Sequence, residues 1–345
     1  MFGRKLFVAL TGCLLLGGLV LAQGPKKDVG TKTPLPPGIS QTPDNAEGDK
    51  PATSLAIDVD LVTLDVVVTN RNNDPIQGLD RGHFRVFDNN VEQTVTNFAP
   101  TDAPLTVVIL VEFGDTFGYY ADDVVSSAAG FIGSLRDGDW GALVAYDIRP
   151  EILTDFTKDK NALFNGLQRL RTPAYRETVL YDAVYDTLER LEGVDGKKAI
   201  FLLSTGIDTL SKRNYSEMLK KAEASETMVY PVSMGQMARL YYEQQLGPET
   251  NIMFLQADNA LRSLADASGG TAFFPRFAGE YRGIYETVST HMRNQYSIGF
   301  VPKDLKNDGK FHKIRVEVSP LDVNKDGKPD QLKARHRKGY YAPKS

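Results

Sequence analysis

Apolar positions along this chain change their spacing twice, and the changes divide it. Leu61-Val62-Thr63-Leu64-Asp65-Val66-Val67-Val68-Thr69 is rich in β-branched residues and reads as a strand. Asn70 to Pro75 is a turn cluster. Phe84 to Phe87, then Asp88-Asn89-Asn90, then Val91 to Phe98 reads as two strands joined by a tight turn. Three strands alone make a poor domain, so this piece needs a partner.

The middle of the chain alternates. Val107 to Val111 is an unbroken apolar run, the pattern of a strand buried on both faces. Ala121 to Leu135, Lys160 to Leu170, Tyr215 to Ala224, Ala257 to Ala267 and Tyr281 to Met292 have helical spacing. Val179 to Leu191 is the clearest amphipathic helix, with Val179, Leu180, Ala183, Val184, Leu188 and Leu191 on one face. Between them lie short strand-like runs: Gly141 to Tyr146, Ala199 to Leu203, Thr227 to Val232 and Gly269 to Phe274. Strands alternating with helices imply a parallel sheet covered on both faces.

The tail returns to β character at Tyr296 to Val301, Lys313 to Val318 and Leu332 to Tyr341, with a turn at Asn307-Asp308-Gly309. Neither β-rich end is large enough to bury a core alone. The expected fold is therefore α/β. A doubly wound, mostly parallel sheet over 103–293 is inserted in a small antiparallel β domain built from 55–102 and 294–345.

The N-terminus changes the picture of where the protein works. Arg4 and Lys5 precede an apolar run from Leu6 to Leu21 that closes on Ala22, so residues 1–22 read as a secretory signal peptide cut after Ala22. An uncleaved anchor is the alternative, but the run is short and broken by Gly12, Gly17 and Gly18. The sole cysteine, Cys13, sits in a lipoprotein-like box, Leu10-Thr11-Gly12-Cys13. Lipidation there is the lesser reading, because another apolar stretch follows it. Residues 23–54, with Pro25, Pro34, Pro36, Pro37, Pro43 and Pro51, read as a disordered linker. The expected location is secreted or periplasmic, with no membrane span after cleavage. Net charge is −4 and becomes −6 once Arg4 and Lys5 leave, so nothing draws the protein to nucleic acid.

In open α/β sheets ligands bind at the carboxyl ends of the strands. Three loops fall there: Glu112 to Gly118, then Tyr175-Arg176-Glu177-Thr178, then Ser204-Thr205-Gly206-Ile207-Asp208. In this order, and with Glu177-Thr178-Val179-Leu180-Tyr181-Asp182-Ala183 at the start of the amphipathic helix, the chain resembles the von Willebrand factor type A family. More closely, it looks like the secreted bacterial "VWFA-related" proteins of acidobacterial type. The flanks Leu79 to Asp88, Tyr296 to Pro302 and Arg337 to Tyr341 share the resemblance.

That resemblance implies a divalent cation, usually magnesium, held by Asp-x-Ser-x-Ser on the first loop, Thr on the second and Asp on the third. Here those positions fall on Glu112, Gly114, Thr116, Thr178 and Thr205. One ligand is missing, one carboxylate is lost and the other is longer by a methylene. Magnesium demands short, near-ideal octahedral geometry, so the set Glu112, Thr116, Thr178 and Thr205 is expected to be degenerate and magnesium is not expected. No cofactor is required.

A second candidate lies outside that pattern. Asp322-Val323-Asn324-Lys325-Asp326-Gly327-Lys328-Pro329-Asp330 offers Asp322, Asn324, Asp326 and Asp330 as oxygen ligands for calcium. Position 12 is Lys333 where a full loop needs Glu, and a solvated turn explains the same residues. Dinucleotide, phosphate-loop, nucleophile-elbow and zinc-protease motifs are absent from the sequence, and His83, His291, His312 and His336 are scattered. Gly235 to Asn251 reads as a binding insertion or a short surface helix.

The function expected is a non-catalytic, adhesion-like module that binds another protein. Its face would be lined by Glu112, Asp115, Thr116, Tyr119, Tyr120, Thr178 and Asp208. A hydrolase using Asp115 or Asp208, or a structural envelope component, is the alternative.

Overall fold

The computed structural model describes residues 61–101, 103–114, 121–170, 175, 177–241, 247–304, 308–321 and 329–344. The signal peptide, the proline-rich linker, Asp115, Thr116, Tyr119, Tyr120, Asp322, Asn324 and Asp326 lie outside the described residues.

The two β-rich ends do meet. One four-stranded antiparallel sheet takes β1 (Val62–Thr69) and β4 (Val95–Thr101) from the front, and β10 (Gln295–Phe300) and β12 (Lys333–Arg335) from the back. Its order is β12-β1-β10-β4. The second combines β2 (Phe84–Asp88) and β3 (Val91–Gln93) with β11 (Phe311–Val318) and β13 (Gly339–Tyr341), in the order β13-β11-β2-β3. Leu64, Val66 and Val68 of β1 and Ile298 and Phe300 of β10 pack on Phe84, Val86, Ile314 and Val316 of the other sheet. Each large apolar side chain buried there stabilises the fold by roughly 1.5–3 kcal/mol.

The run expected as one strand, Val91 to Phe98, is two. The chain passes from one sheet to the other at Thr94, so β3 pairs with β2 while β4 pairs with β10. Leu332 to Tyr341 breaks likewise, at His336 to Lys338, where Arg337 donates to the carbonyls of Ala224 and Thr63. The β2–β3 turn is tight as expected, with Asn89 and Asn90 both at positive φ.

Between the two ends lies a five-stranded sheet of order β7-β6-β5-β8-β9. Its members are β5 (Leu105–Glu112), β6 (Trp140–Tyr146), β7 (Pro150–Thr157), β8 (Lys197–Ser204) and β9 (Met228–Ser233). All are parallel except β7, which runs antiparallel to β6. Helices α1 (Ala121–Ser134), α2 (Lys160–Leu167) and α7 (Tyr281–Arg293) cover one face. Helices α3 (Leu180–Leu191), α4 (Tyr215–Ala224) and α6 (Pro248–Ser268) cover the other. In β5 the odd residues Val107, Ile109 and Val111 enter the first core and Val108 and Leu110 enter the second, which is why its apolar run is unbroken.

Three details depart from the sequence reading. β7 was not foreseen: its pairing with β6 carries two register shifts, and its residues show no clean alternation. Helix α6 begins at Pro248, not Ala257, because Ile252, Met253 and Leu255 are exposed and blur its apolar stripe. Gly269 to Phe274 contributes only a bridge, Val232 to Phe273. Gly269 ends α6 at φ +86°, and a Cβ there would stand 2.5 Å from the His336 carbonyl carbon.

The segment 235–251 is helical at both ends: α5 (Gly235–Tyr241), and then the first turn of α6. Among the described residues no helix is long and apolar enough to cross a membrane.

Candidate functional site

The last residue of β5, Glu112, is 1% exposed. A carboxylate at that depth must be compensated, and the ends of the two neighbouring strands do it. Ser204 Oγ, at the end of β8, donates to Glu112 Oε2 at 2.7 Å, and the Thr205 N–H donates to the same oxygen at 2.8 Å. Thr205 Oγ1 donates to Glu112 Oε1 at 2.8 Å. The Tyr146 hydroxyl, at the end of β6, donates to Ser204 Oγ at 3.0 Å and lies 3.3 Å from Glu112 Oε2. Burial pushes the Glu112 carboxyl above its ordinary range, outweighing the hydrogen bonds from Ser204 and Thr205 that oppose it. Burial, then the charge of Glu112, raises the Tyr146 phenol as well.

The second and third loops are joined without an intermediary. Thr178 Oγ1 donates to the Ile207 carbonyl at 2.8 Å, and the Thr178 N–H donates to Thr209 Oγ1 at 2.8 Å. The N–H groups of Thr209 and Leu210 both donate to the Thr178 carbonyl at 3.0 Å. Asp208 Oδ1 accepts the Tyr181 N–H, at the start of α3, at 3.1 Å, and the Ser211 hydroxyl at 2.5 Å. It therefore caps a helix, with the macrodipole favouring its charge. Asp182, in the first turn of α3, accepts the Lys212 and Arg213 N–H groups at 2.9 Å each. Gly206, at φ +80°, lets the third loop pass α6, where a Cβ would meet the Ala257 carbonyl at 2.7 Å.

The structure thus brings Glu112 and Thr205 together and places Thr178 and Asp208 in the adjoining loop junction. Asp330 stands apart, where its N–H donates to the Leu321 carbonyl at 2.9 Å. Sequence reasoning missed Tyr146 and gave Ser204 no role. The available signal was weak: a tyrosine ending an apolar strand beside the first loop. The histidines are structural. His312 Nδ1 lies 2.9 Å from Asp88 Oδ1, His291 Nε2 meets the Asn73 carbonyl, and burial drops His336 to about 4.

No family model matches the chain, and no curated protein does. Solved structures similar to it include the vWF domain of the type V pili tip protein Mfa5 from Porphyromonas gingivalis. That domain is 15% identical over 56% of this chain and 97% of its own, at a TM-score of 0.44. The von Willebrand factor type A structure from Catenulispora acidiphila is 12% identical over 75% of this chain and 73% of its own, at 0.44. BatB from Bacteroides thetaiotaomicron is 14% identical over 54% and 98%, at 0.38. These structures are what the α/β layer is similar to. At these identities the likeness lends nothing to the chemistry of the strand-end site, which rests on its own side chains.

Proposed function

We propose that this chain is a secreted or periplasmic protein-binding module, without catalytic chemistry, whose type A-like layer meets its partner without a cation. The observation that supports this most is the commitment of Glu112. Both its oxygens accept hydrogen bonds from the third loop, so the first-loop carboxylate is joined to Ser204 and Thr205 directly. The residues do not fit magnesium. Gly114 offers no side-chain oxygen, Thr205 is neutral, and the one carboxylate is already satisfied. Asp208, the candidate acid or base of the hydrolase reading, is spent on capping α3, which favours binding over catalysis.

Two measurements test the reading. Thermal unfolding of residues 23–345 in EDTA, magnesium or calcium reports any ligand that prefers the folded state. No response to magnesium is expected. A rise abolished by Thr178→Ala would overturn cation-free recognition. A calcium ion on Asp322, Asn324, Asp326 and Asp330 stays part of the proposal, and its sign is a calcium response lost in Asp326→Ala. For the binding role, a photo-crosslinking amino acid at the exposed Tyr175, in cells that make the protein, should yield one discrete protein adduct that persists in EDTA. Absence of any adduct, at Tyr175 or at Leu210, would refute the protein-binding reading.

A further inference from the structure

Beside the Glu112 cluster, the carboxyl ends of β5 and β6 open into a cavity of about 460 Å³, within the range of ligand sites. Its floor is apolar: Phe113, Tyr146, Leu153 and Leu170. The exposed ring of Tyr175 stands at its rim. The charged groups around it are not equivalent. Asp147 Oδ1 accepts the Ile148 N–H at 2.6 Å. Arg169 Nη1 donates to the Leu153 carbonyl at 2.7 Å, and its Nη2 pairs with Glu151 at 3.4 Å. Arg149, in the β6–β7 turn, is exposed and has no hydrogen-bond or ion-pair partner among the described residues. An apolar floor beside one uncommitted guanidinium calls for an apolar group carrying an anion.

We infer that this cavity is the anchor point for the partner, and that it takes an aromatic or large aliphatic side chain adjacent in sequence to an Asp or Glu, whose carboxylate is gripped by Arg149. The inference rests on the protein-binding reading and deepens it. A planar guanidinium can hold a carboxylate through two parallel hydrogen bonds. The carboxylate is a side-chain one. Capture of a chain terminus uses free backbone N–H groups, and here the N–H groups of Ile148 and Phe113 are taken by Asp147 Oδ1 and the Tyr146 carbonyl. A partner strand crossing the open cleft presents its side chains downward without needing to end there.

The probes are four capped peptides: acetyl-Phe-Asp-amide, acetyl-Phe-Asn-amide, acetyl-Gly-Asp-amide, and acetyl-Asn-Phe with a free terminal carboxylate. Each is titrated against the full mature chain by saturation-transfer NMR. Acetyl-Phe-Asp-amide is expected to bind in the millimolar range, roughly tenfold tighter than either the Asn or the Gly peptide. Arg149→Gln, an exposed change that leaves the fold intact, is expected to remove the Asp-over-Asn preference and leave acetyl-Phe-Asn-amide unchanged. Leu170→Arg, which fills the floor, should abolish all binding. Equal binding of the Asp and Asn peptides, a preference that survives Arg149→Gln, preferential binding of the free-terminus peptide, or no binding by any peptide would each overturn the inference. The Tyr175 crosslink separates this from the wider reading: an adduct retained in Arg149→Gln keeps the protein-binding role and removes only this anchor.

Discussion

Thr205→Asp puts the reading of the loop cluster at risk most directly. Thr205 Oγ1 lies 2.8 Å from Glu112 Oε1 and donates to it. An aspartate there replaces the donor with a second carboxylate in a site closed to water. At a separation of ~3.5 Å and an effective dielectric of ~20, two full charges repel by about 5 kcal/mol. The pair has a cheaper alternative, which is to keep one proton. Holding that proton at pH 7 against an ordinary carboxylate pKa of about 4 costs about 1.4 kcal/mol per pH unit, or about 4 kcal/mol in all. The smaller figure governs. It falls to roughly 1.4 kcal/mol at pH 5. For a folded region of this size, about 2 °C is lost per kcal/mol, so the variant should melt ~8 °C below wild type at pH 7 and ~3 °C below at pH 5. The assay is thermal unfolding in EDTA at both pH values. Thr205→Val serves as the control: it removes a donor that favours the charged Glu112 without adding a charge, and should show a smaller pH dependence of the same sign. A Thr205→Asp protein that melts within ~2 °C of wild type at pH 7 would refute the packing of Glu112 against residue 205.

Three further outcomes follow from the same structure. Glu112 has a folded-state pKa above its ordinary value because of burial, so its contribution to stability is present at low pH and is lost as pH rises through the raised pKa. Glu112→Gln removes that slope, and its melting temperature relative to wild type should therefore be higher at pH 7.5 than at pH 4; the reverse order would contradict the assignment. Asp139 accepts from Arg293 Nη2 at 2.6 Å and from the N–H groups of Arg136 at 2.7 Å and Leu105 at 3.0 Å. Asp139→Ala strands a buried guanidinium and should lower stability by roughly 3–5 kcal/mol in urea unfolding. Burial alone would raise the Asp139 carboxyl, but the Arg293 and backbone bonds hold it below the ordinary range, so that deficit should shrink as pH falls through the carboxylate range. Asp208→Ala should cost about 1 kcal/mol, a lost cap, and leave the Tyr175 crosslink in place; loss of the adduct would return Asp208 to the binding face.

Much of this architecture was legible, and the reason is the buried parallel strand. Val107 to Val111 faces two cores at once, so its residues must all be apolar, and Ala199 to Leu203 of β8 shows the same run for the same reason. Helix α3 was equally plain because it has one buried face and one wet one. The misreadings fall where the chain obeys tertiary demands with no local period. Thr94 and His336 to Lys338 are crossings between sheets, and alternation continues through a crossing as though the strand did. β7 is an edge strand with bulges, half exposed, so its side chains carry little constraint. At the site, the position of the loops at the strand ends was readable from order alone. The contacts that join them were not. That Tyr146 reaches Ser204 depends on β6 and β8 flanking β5 in register, Glu112 opposite Tyr146, which is a property of the folded sheet.

The way the α/β layer is set into the sandwich bears on the proposed role. The chain enters it from β4 and leaves it into β10, and these strands are antiparallel neighbours, with Thr101 opposite Gln295. Both crossings therefore lie side by side at the amino ends of the parallel strands. The contacts that join the two layers are at that end too. The Lys338 N–H donates to the Ala267 carbonyl at the end of α6, and Arg337 ties Thr63 of β1 to Ala224 at the end of α4. β5 is eight residues long, which at ~3.3 Å per residue carries Glu112 roughly 25 Å from that junction. Among the described residues, the strand-end loops therefore lie at the opposite end of the parallel sheet from the sandwich. The buried Asp139–Arg293 pair and the arginine–carbonyl bonds at the junction give the α/β layer a rigid base, which the proposed partner-binding face requires.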